Sequence, residues 1–247
     1  MTDEAIPAAT LVVWRDTAGG PEILVVERSA RMTFAAGAVV FPGGRIDAGD
    51  RLLADSLGRP GEAAKITAIR ETIEETGVAP ALLGHAESEL ALELQRDLHA
   101  GNDFADLLAR HGLELDLDAL TPFTRWMPAF KQPRKFDTLF YLATAPSGDW
   151  QPNPQEGECV SAEWANPHEL LDRIAAGAAS AIFPTKRNLE RLAQHASFDA
   201  AIRDARSHSL ETIIPWVEEI DGEPHVRIPD DRGYPVISEP LATAFRA

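Results

Sequence analysis

The stretch "AIRETIEETGV", residues 68–78, has two incompatible sides, and a fold must serve both. A helix turns about 100° per residue, so with Glu71 as origin Glu74 lies at about −60° and Glu75 at about +40°. Ile66, Ile69 and Ile73 fall between about 160° and 220°, on the opposite side. The isoleucines require a core. The three carboxylates repel one another unless a cation compensates them. Arg70 is the one basic residue close by, and it can pair with Glu74 at i+4 or steady Glu71. Two readings follow, a solvated acidic face or a metal site. Hard oxygen ligands suit Mg²⁺ or Mn²⁺, and no His or Cys lies near enough in sequence to suggest zinc. Pro60 suits the first turn of this helix and Gly77 the position just past its end.

The flanking sequence supplies the strands that such a helix needs. "ATLVVWR" and "EILVVER" are β-branched runs separated by "DTAGGP", the pattern of a hairpin. "GAVVFPGG" reads as a third short strand ending in a Pro-Gly-Gly loop, followed by the polar segment "RIDAGDRLLADSLGRPG". Residues 79–116 read as helical. "TRWMP", "FDTLFYLATA" and "ECVSAEW" restore strand character. Helices follow at "PHELLDRIAAG" and "PTKRNLERLAQH", the latter amphipathic and suited to packing or to a pocket wall. "IIPWVEEIDGEPHVRIP" reads as a hairpin turning at Asp221-Gly222. With no repeat or long linker, one α/β domain with helical additions is the economical reading.

The formal net charge of −16 over 247 residues argues against general affinity for nucleic acid or an anionic membrane. It does not forbid an anionic substrate at a locally positive or metal-bearing site. The single cysteine, Cys159, excludes an intramolecular disulfide and any multi-cysteine zinc site, and its strand context suggests a buried thiol. The seven histidines show no ligand spacing. No basic leader and no apolar run of membrane-spanning length is visible, which makes a cytoplasmic protein the expectation.

Here the residues resemble a known family. The Nudix hydrolase box runs Gly, five residues, Glu, seven residues, then Arg-Glu-apolar-x-Glu-Glu-x-Gly-apolar. Glu62, seven residues, and "RETIEETGV" from Arg70 to Val78 fit it, with Thr72 at the first apolar place. Ser56 occupies the box glycine's position before Glu62, and Gly44 in "FPGG" is its counterpart, about a dozen residues further away. "LVVERSARMTFAAGAVVFPGG" is similar to the segment preceding the box in coenzyme A diphosphatases of the peroxisomal type and their bacterial relatives. "RWMPAFKQPRKFDTLFYLA", "EWANPHEL" and "FPTKRNLERLA" are similar to that branch as well. Thr33 departs from it, standing where a second arginine is expected.

The resemblance implies a Nudix α/β/α sandwich with a mixed sheet, a helical insertion after the Nudix helix and a C-terminal helical and hairpin extension. It implies a single domain over 1–247, with insertions at about 45–61 and 79–118 and the extension at about 180–247. It implies hydrolysis of a nucleoside diphosphate derivative with Mg²⁺ or Mn²⁺ held by Glu71, Glu74, Glu75 and the Gly44 carbonyl. Arg70 would orient the carboxylates and Glu62 would support them. The general base is either a box glutamate such as Glu71 or a loop acid, Glu156 or Glu158. Arg28, Arg31, Gly43, Lys131, Arg134 and Lys135 are the expected substrate contacts, with Arg125 in the same basic stretch. Trp126 and Phe136 suit the core better than a stacking platform. Coenzyme A or acyl-coenzyme A is the expected substrate. ADP-ribose, a dinucleoside polyphosphate or another nucleotide diphosphate is the alternative, and a non-catalytic nucleotide sensor a third. The C-terminal hairpin leaves two readings open, a homodimer interface or a cap on the domain.

Overall fold

The computed structural model describes residues 5–31, 35–84, 87–128 and 135–244. Strands β1 (Ile6–Thr17) and β2 (Gly20–Arg28) form the expected antiparallel hairpin, paired from Trp14↔Ile23 to Thr17↔Gly20. Beyond that register the two strands diverge, and "VVFPGGR" fills the gap between them. β3 (Val39–Val40) pairs with β2, and β4 (Gly43–Arg45) pairs with Ala8–Thr10 of β1. The single strand expected from "GAVVFPGG" is thus split in two, because Phe41-Pro42 crosses from one partner to the other.

The chain then forms α1 (Ala48–Ser56), a 3-10 turn at Pro60–Glu62 and α2 (Ala63–Thr76). Gly77 ends α2 at φ +64° and its N–H donates to the Ile73 carbonyl at 2.8 Å. Next come β5 (Leu82–Leu83), α3 (Ser88–His99), α4 (Phe104–His111) and β6 (Glu114–Leu115), where β5 and β6 form a small ribbon. β7 (Thr121–Trp126), β8 (Phe136–Thr144) and β9 (Cys159–Ala165) complete the main sheet. It is mixed: β8 runs parallel to β1, β7 antiparallel to β8, and β9 antiparallel to β2.

After the sheet come α5 (Pro167–Ala175), α6 (Phe183–Leu192), α7 (Phe198–Ser207), β10 (Trp216–Ile220), β11 (Glu223–Arg227), β12 (Ser238–Pro240) and α8 (Leu241–Ala244). β10 and β11 turn at Asp221 (φ +53°) and Gly222 (φ +83°), as "DG" requires.

β1 is buried from Ala8 to Trp14, with no polar side, because helices cover both faces of the sheet. Ala9, Leu11 and Val13 pack with Ile66, Ile69 and Ile73 of α2 and with residues of α3 and α4. Val12 and Trp14 pack with the opposite layer, which includes Leu189, Leu192, Ala201 and Val226. The layers therefore stack helix, sheet, helix. Among the described residues no helix is long and apolar enough to cross a membrane.

Candidate active site

Two glycines join the sheet to α2, and close approach, rather than a turn conformation, demands both. A Cβ on Gly43 would lie 2.5 Å from the Ala9 carbonyl oxygen. A Cβ on Gly44 would lie 2.4 Å from the Glu71 carboxyl carbon. The Gly43 N–H donates to Glu75 Oε2 at 3.0 Å. "FPGG" therefore presses bare backbone against the carboxylates of α2.

The acidic side of α2 is not a solvated edge. Glu75 is 3% exposed, and Arg28 Nη1 lies 3.7 Å from its Oε1. Burial pushes the Glu75 carboxyl up to about 8, with Glu71 adding to the rise against Arg28 and the Gly43 N–H. Burial likewise pushes Glu71 up to about 7, opposed by Arg70 and reinforced by Glu74. A buried carboxyl and a part-buried one, both resisting ionisation with glycine backbone packed against them, are a donor set that a divalent cation neutralises. The site fits such an ion.

Arg70 holds this cluster together. Its Nη1 lies 2.9 Å from Glu71 Oε1 and 3.1 Å from Glu74 Oε2, so both expected pairings occur. Its strongest partner is Asp50, which accepts from Nε and Nη2 at 2.9 Å each. Burial alone would lower the guanidinium's affinity for its proton, but Asp50, Glu71 and Glu74 together raise it. Asp50 is 2% exposed, accepts from Thr67 Oγ1 at 2.8 Å, and caps α1 by accepting from the Asp47 N–H at 3.0 Å.

Sequence reasoning missed Asp50 and read its segment only as polar. The signal was present: counting from Gly44, five residues lead to Asp50, the step the box requires between its glycine and first acid. Glu62 satisfies the other half of the spacing, seven residues before Arg70. The fold gives Arg70 to Asp50, while Glu62 pairs with Lys65 at 2.8 Å and with Arg59.

The remaining candidates are less gathered. Glu156 and Glu158 are both exposed in the loop before β9, and Glu158 adds to the rise at Glu75. Arg28 has a buried Nε with no hydrogen-bond partner among the described residues, beside Glu75. Arg31 is exposed at the end of the segment after β2, and Lys135 enters β8 where its carbonyl accepts from the Ile6 N–H at 2.7 Å. Lys131 and Arg134 lie outside the described residues. Arg125 is engaged by Asp137 through Nε and Nη2, so its charge is locally balanced. Trp126 is core, edge-on to Tyr234 at 5.6 Å and to Phe183 at 6.1 Å. Cys159 is buried as expected, its thiol pushed up to about 12 by burial first and the Glu75 charge second.

Comparison with known proteins places the fold in a family. The NUDIX domain family model matches residues 5–184. A chicken (Gallus gallus) protein named acyl-coenzyme A diphosphatase NUDT19 is 26% identical over 79% of this chain and 67% of its own length. The human (Homo sapiens) protein of the same name is 27% identical over 88% of this chain and 73% of its own. The crystal structure of a NUDIX hydrolase from Alicyclobacillus acidocaldarius superposes with a TM-score of 0.71 at 30% identity, covering 82% of this chain and 97% of that one. Nudix hydrolases generally use divalent cations and act on small nucleotide diphosphates. The chain belongs to the Nudix family and is an enzyme built on its hydrolase fold.

Proposed function

We propose that this enzyme hydrolyses the diphosphate of coenzyme A or an acyl-coenzyme A, giving 3′,5′-ADP and the matching phosphopantetheine. The observation that carries the hydrolytic part is the buried Glu75 and part-buried Glu71 pressed against Gly43-Gly44 and steadied by Arg70. The names of the chicken and human relatives support the coenzyme A part, as does the sequence around "FPGG".

Glu71, Glu74, Glu75 and the Gly44 carbonyl would hold Mg²⁺ or Mn²⁺. When bound, such ions neutralise diphosphate charge and make water more acidic. The protein's own residues then do the following. Arg70, fixed by Asp50, keeps Glu71 and Glu74 from splaying. The Gly43 N–H orients Glu75. Arg28, whose buried Nε has no acceptor among the described residues, suits a phosphate oxygen arriving beside Glu75. A positioned carboxylate takes the proton of the water that attacks phosphorus. Arg31, Lys131, Arg134 and Lys135 provide the positive charge that a 3′-phosphate would require.

The test is a substrate panel with product identification by mass spectrometry, in Mg²⁺ and in Mn²⁺. Release of 3′,5′-ADP from coenzyme A substrates is expected, and Glu75→Gln should abolish turnover while the protein stays folded. Cleavage of ADP-ribose alone would replace the substrate assignment. Full activity in Glu75→Gln would refute the ligand assignment.

A further inference from the structure

The carbonyls at the C-terminal end of α2 are occupied in an unusual way. Helix ends leave such groups without intrahelical donors, and solvent or a capping residue commonly serves them. Here a side chain from α3 and the loop before β9 take them. Gln95, 2% exposed, donates Nε2 to the Glu74 carbonyl at 3.0 Å and to the Asn153 carbonyl at 2.9 Å. Its Oε1 accepts from Asn153 Nδ2 at 2.7 Å, so the Gln95 amide grips Asn153 by both its main-chain carbonyl and its side-chain nitrogen. The Asn153 N–H donates to the Thr76 carbonyl at 2.7 Å, and the Gln155 N–H to the Glu75 carbonyl at 3.1 Å. His99 Nε2 also lies 2.9 Å from the Glu74 carbonyl.

The far end of the same loop is tied as firmly. The Glu158 carbonyl accepts from the Ser29 N–H at 2.7 Å, and the Cys159 N–H donates to the Gln155 carbonyl at 3.1 Å. Cys159 is the register partner of Arg28, whose guanidinium reaches Glu75. Glu158 therefore leaves the backbone one residue from the strand position facing Arg28, in a loop tied at one end to α2 and at the other to the residue after Arg28. Glu156 sits between the anchored Gln155 and the turn at Gly157 (φ +93°), with no hydrogen bond of its own among the described residues.

We propose that the Gln95–Asn153 amide pair is a positioning device that holds the loop against the end of α2 and makes Glu158, not Glu156, the loop acid serving the water. This gives α3 a role in the reaction: it braces the carboxylate helix and the loop with one buried side chain. Gln95 suits the task because an amide offers donors and an acceptor without charge. The inference rests on the diphosphatase reading and deepens it. Gln95 and Asn153 touch no reacting atom, so they are positioning residues, and Glu158 is the catalytic one.

The test uses the full-length protein, with kcat, KM and half-saturating Mn²⁺ measured on coenzyme A well below the unfolding temperature. Gln95→Met keeps the side-chain length and removes the amide. It should lower kcat about tenfold or more, with KM and the Mn²⁺ requirement within about twofold of wild type. Glu158→Gln should lower kcat further, and Glu156→Gln should leave it near wild type. Adding Gln95→Met to Glu158→Gln should cost little more, because the positioned group is already gone. A purely structural role for Gln95 predicts the same loss in both backgrounds, and that result overturns the proposal. So does an inactive Glu156→Gln beside an active Glu158→Gln. Amide exchange at 155 and 159 checks the anchor without turnover: protection unchanged in Gln95→Met overturns it. A wild type that cleaves no panel substrate sinks the functional reading, and this inference with it.

Discussion

Replacing Asp50 with Asn separates the acid that the fold uses from the acid that a strict reading of the box selects. Asp50 is buried and gives Arg70 two charge-assisted bonds at 2.9 Å, with Thr67 and the Asp47 N–H as further donors. Removing one partner of a buried ion pair costs about 3–5 kcal/mol, and Asn keeps one acceptor, so about 3 kcal/mol is expected. For a chain of this size each kcal/mol moves the melting temperature by about 2–4 °C, giving a drop of roughly 6–12 °C. Arg70 would then lean more heavily on Glu71 and Glu74, with Asp47 more distant at 4.0 Å, and would compete with the cation for the two glutamates. Loss of such an outer partner typically weakens metal affinity or activity by about 10–100-fold. Glu62→Gln is the control. Its pairs with Lys65 and Arg59 are partly exposed and screened by solvent, so their loss should barely move the melting temperature. Thermal unfolding and a Mn²⁺ titration of turnover on both variants decide the matter, with Asp50→Glu expected to recover part of the loss. If Asp50→Asn matches wild type while Glu62→Gln loses its metal response, Glu62 is the working acid and Asp50 is not.

Two further outcomes are expected. Burial pushes the Glu71 and Glu75 carboxyls up to about 7 and about 8, above the ordinary carboxylate range. Their contribution to stability is therefore complete below about pH 4 and is lost as pH rises through 7–8, on the order of several kcal/mol. Mn²⁺ should raise the melting temperature more at pH 8 than at pH 5.5, where it must displace protons; an equal rise at both would refute this. The two glycines should fail differently. Gly43→Ala meets the Ala9 backbone at 2.5 Å and should chiefly lower the melting temperature. Gly44→Ala meets the Glu71 carboxylate at 2.4 Å and should chiefly lower kcat and the affinity for Mn²⁺. Melting curves beside steady-state kinetics on both variants separate the effects, and two identical profiles would refute the distinction.

What could be read from the sequence was local. The isoleucine stripe of α2, Gly77 at its end and the Asp221-Gly222 turn each depend on residues a few positions apart, where periodicity and allowed φ angles decide the outcome. Charge was misleading wherever the fold buries it. "PTKRNLERLAQH" reads as an amphipathic helix suited to packing or to a pocket wall, but nothing in it announces that Arg187 and Arg191 are each 1% exposed. Arg187 pairs with Glu239 at 2.9 Å and Arg191 with Asp204 at 2.8 Å, closing the C-terminal segments onto the sheet. Composition cannot distinguish a buried charge from a solvated one, because the partner that makes burial tolerable lies elsewhere in the chain.

The choice between Asp50 and Glu62 shows why spacing alone falls short at the site itself. Each acid satisfies one half of the box: Asp50 stands five residues beyond Gly44, and Glu62 seven residues before Arg70. On a contiguous box one residue would satisfy both, and the intervening helix removes that identity. What decides is the direction in which α1 delivers its third residue. Asp47 caps α1 with Asp50 closing the box, which fixes the Asp50 carboxylate over Thr67, one turn before Arg70. Glu62, at the start of α2, is drawn instead to Lys65 and Arg59. A capping preference at α1 thus selects the partner of an arginine twenty residues away. That dependence appears only once both helices are placed, and the carboxylate cluster inherits its geometry from it.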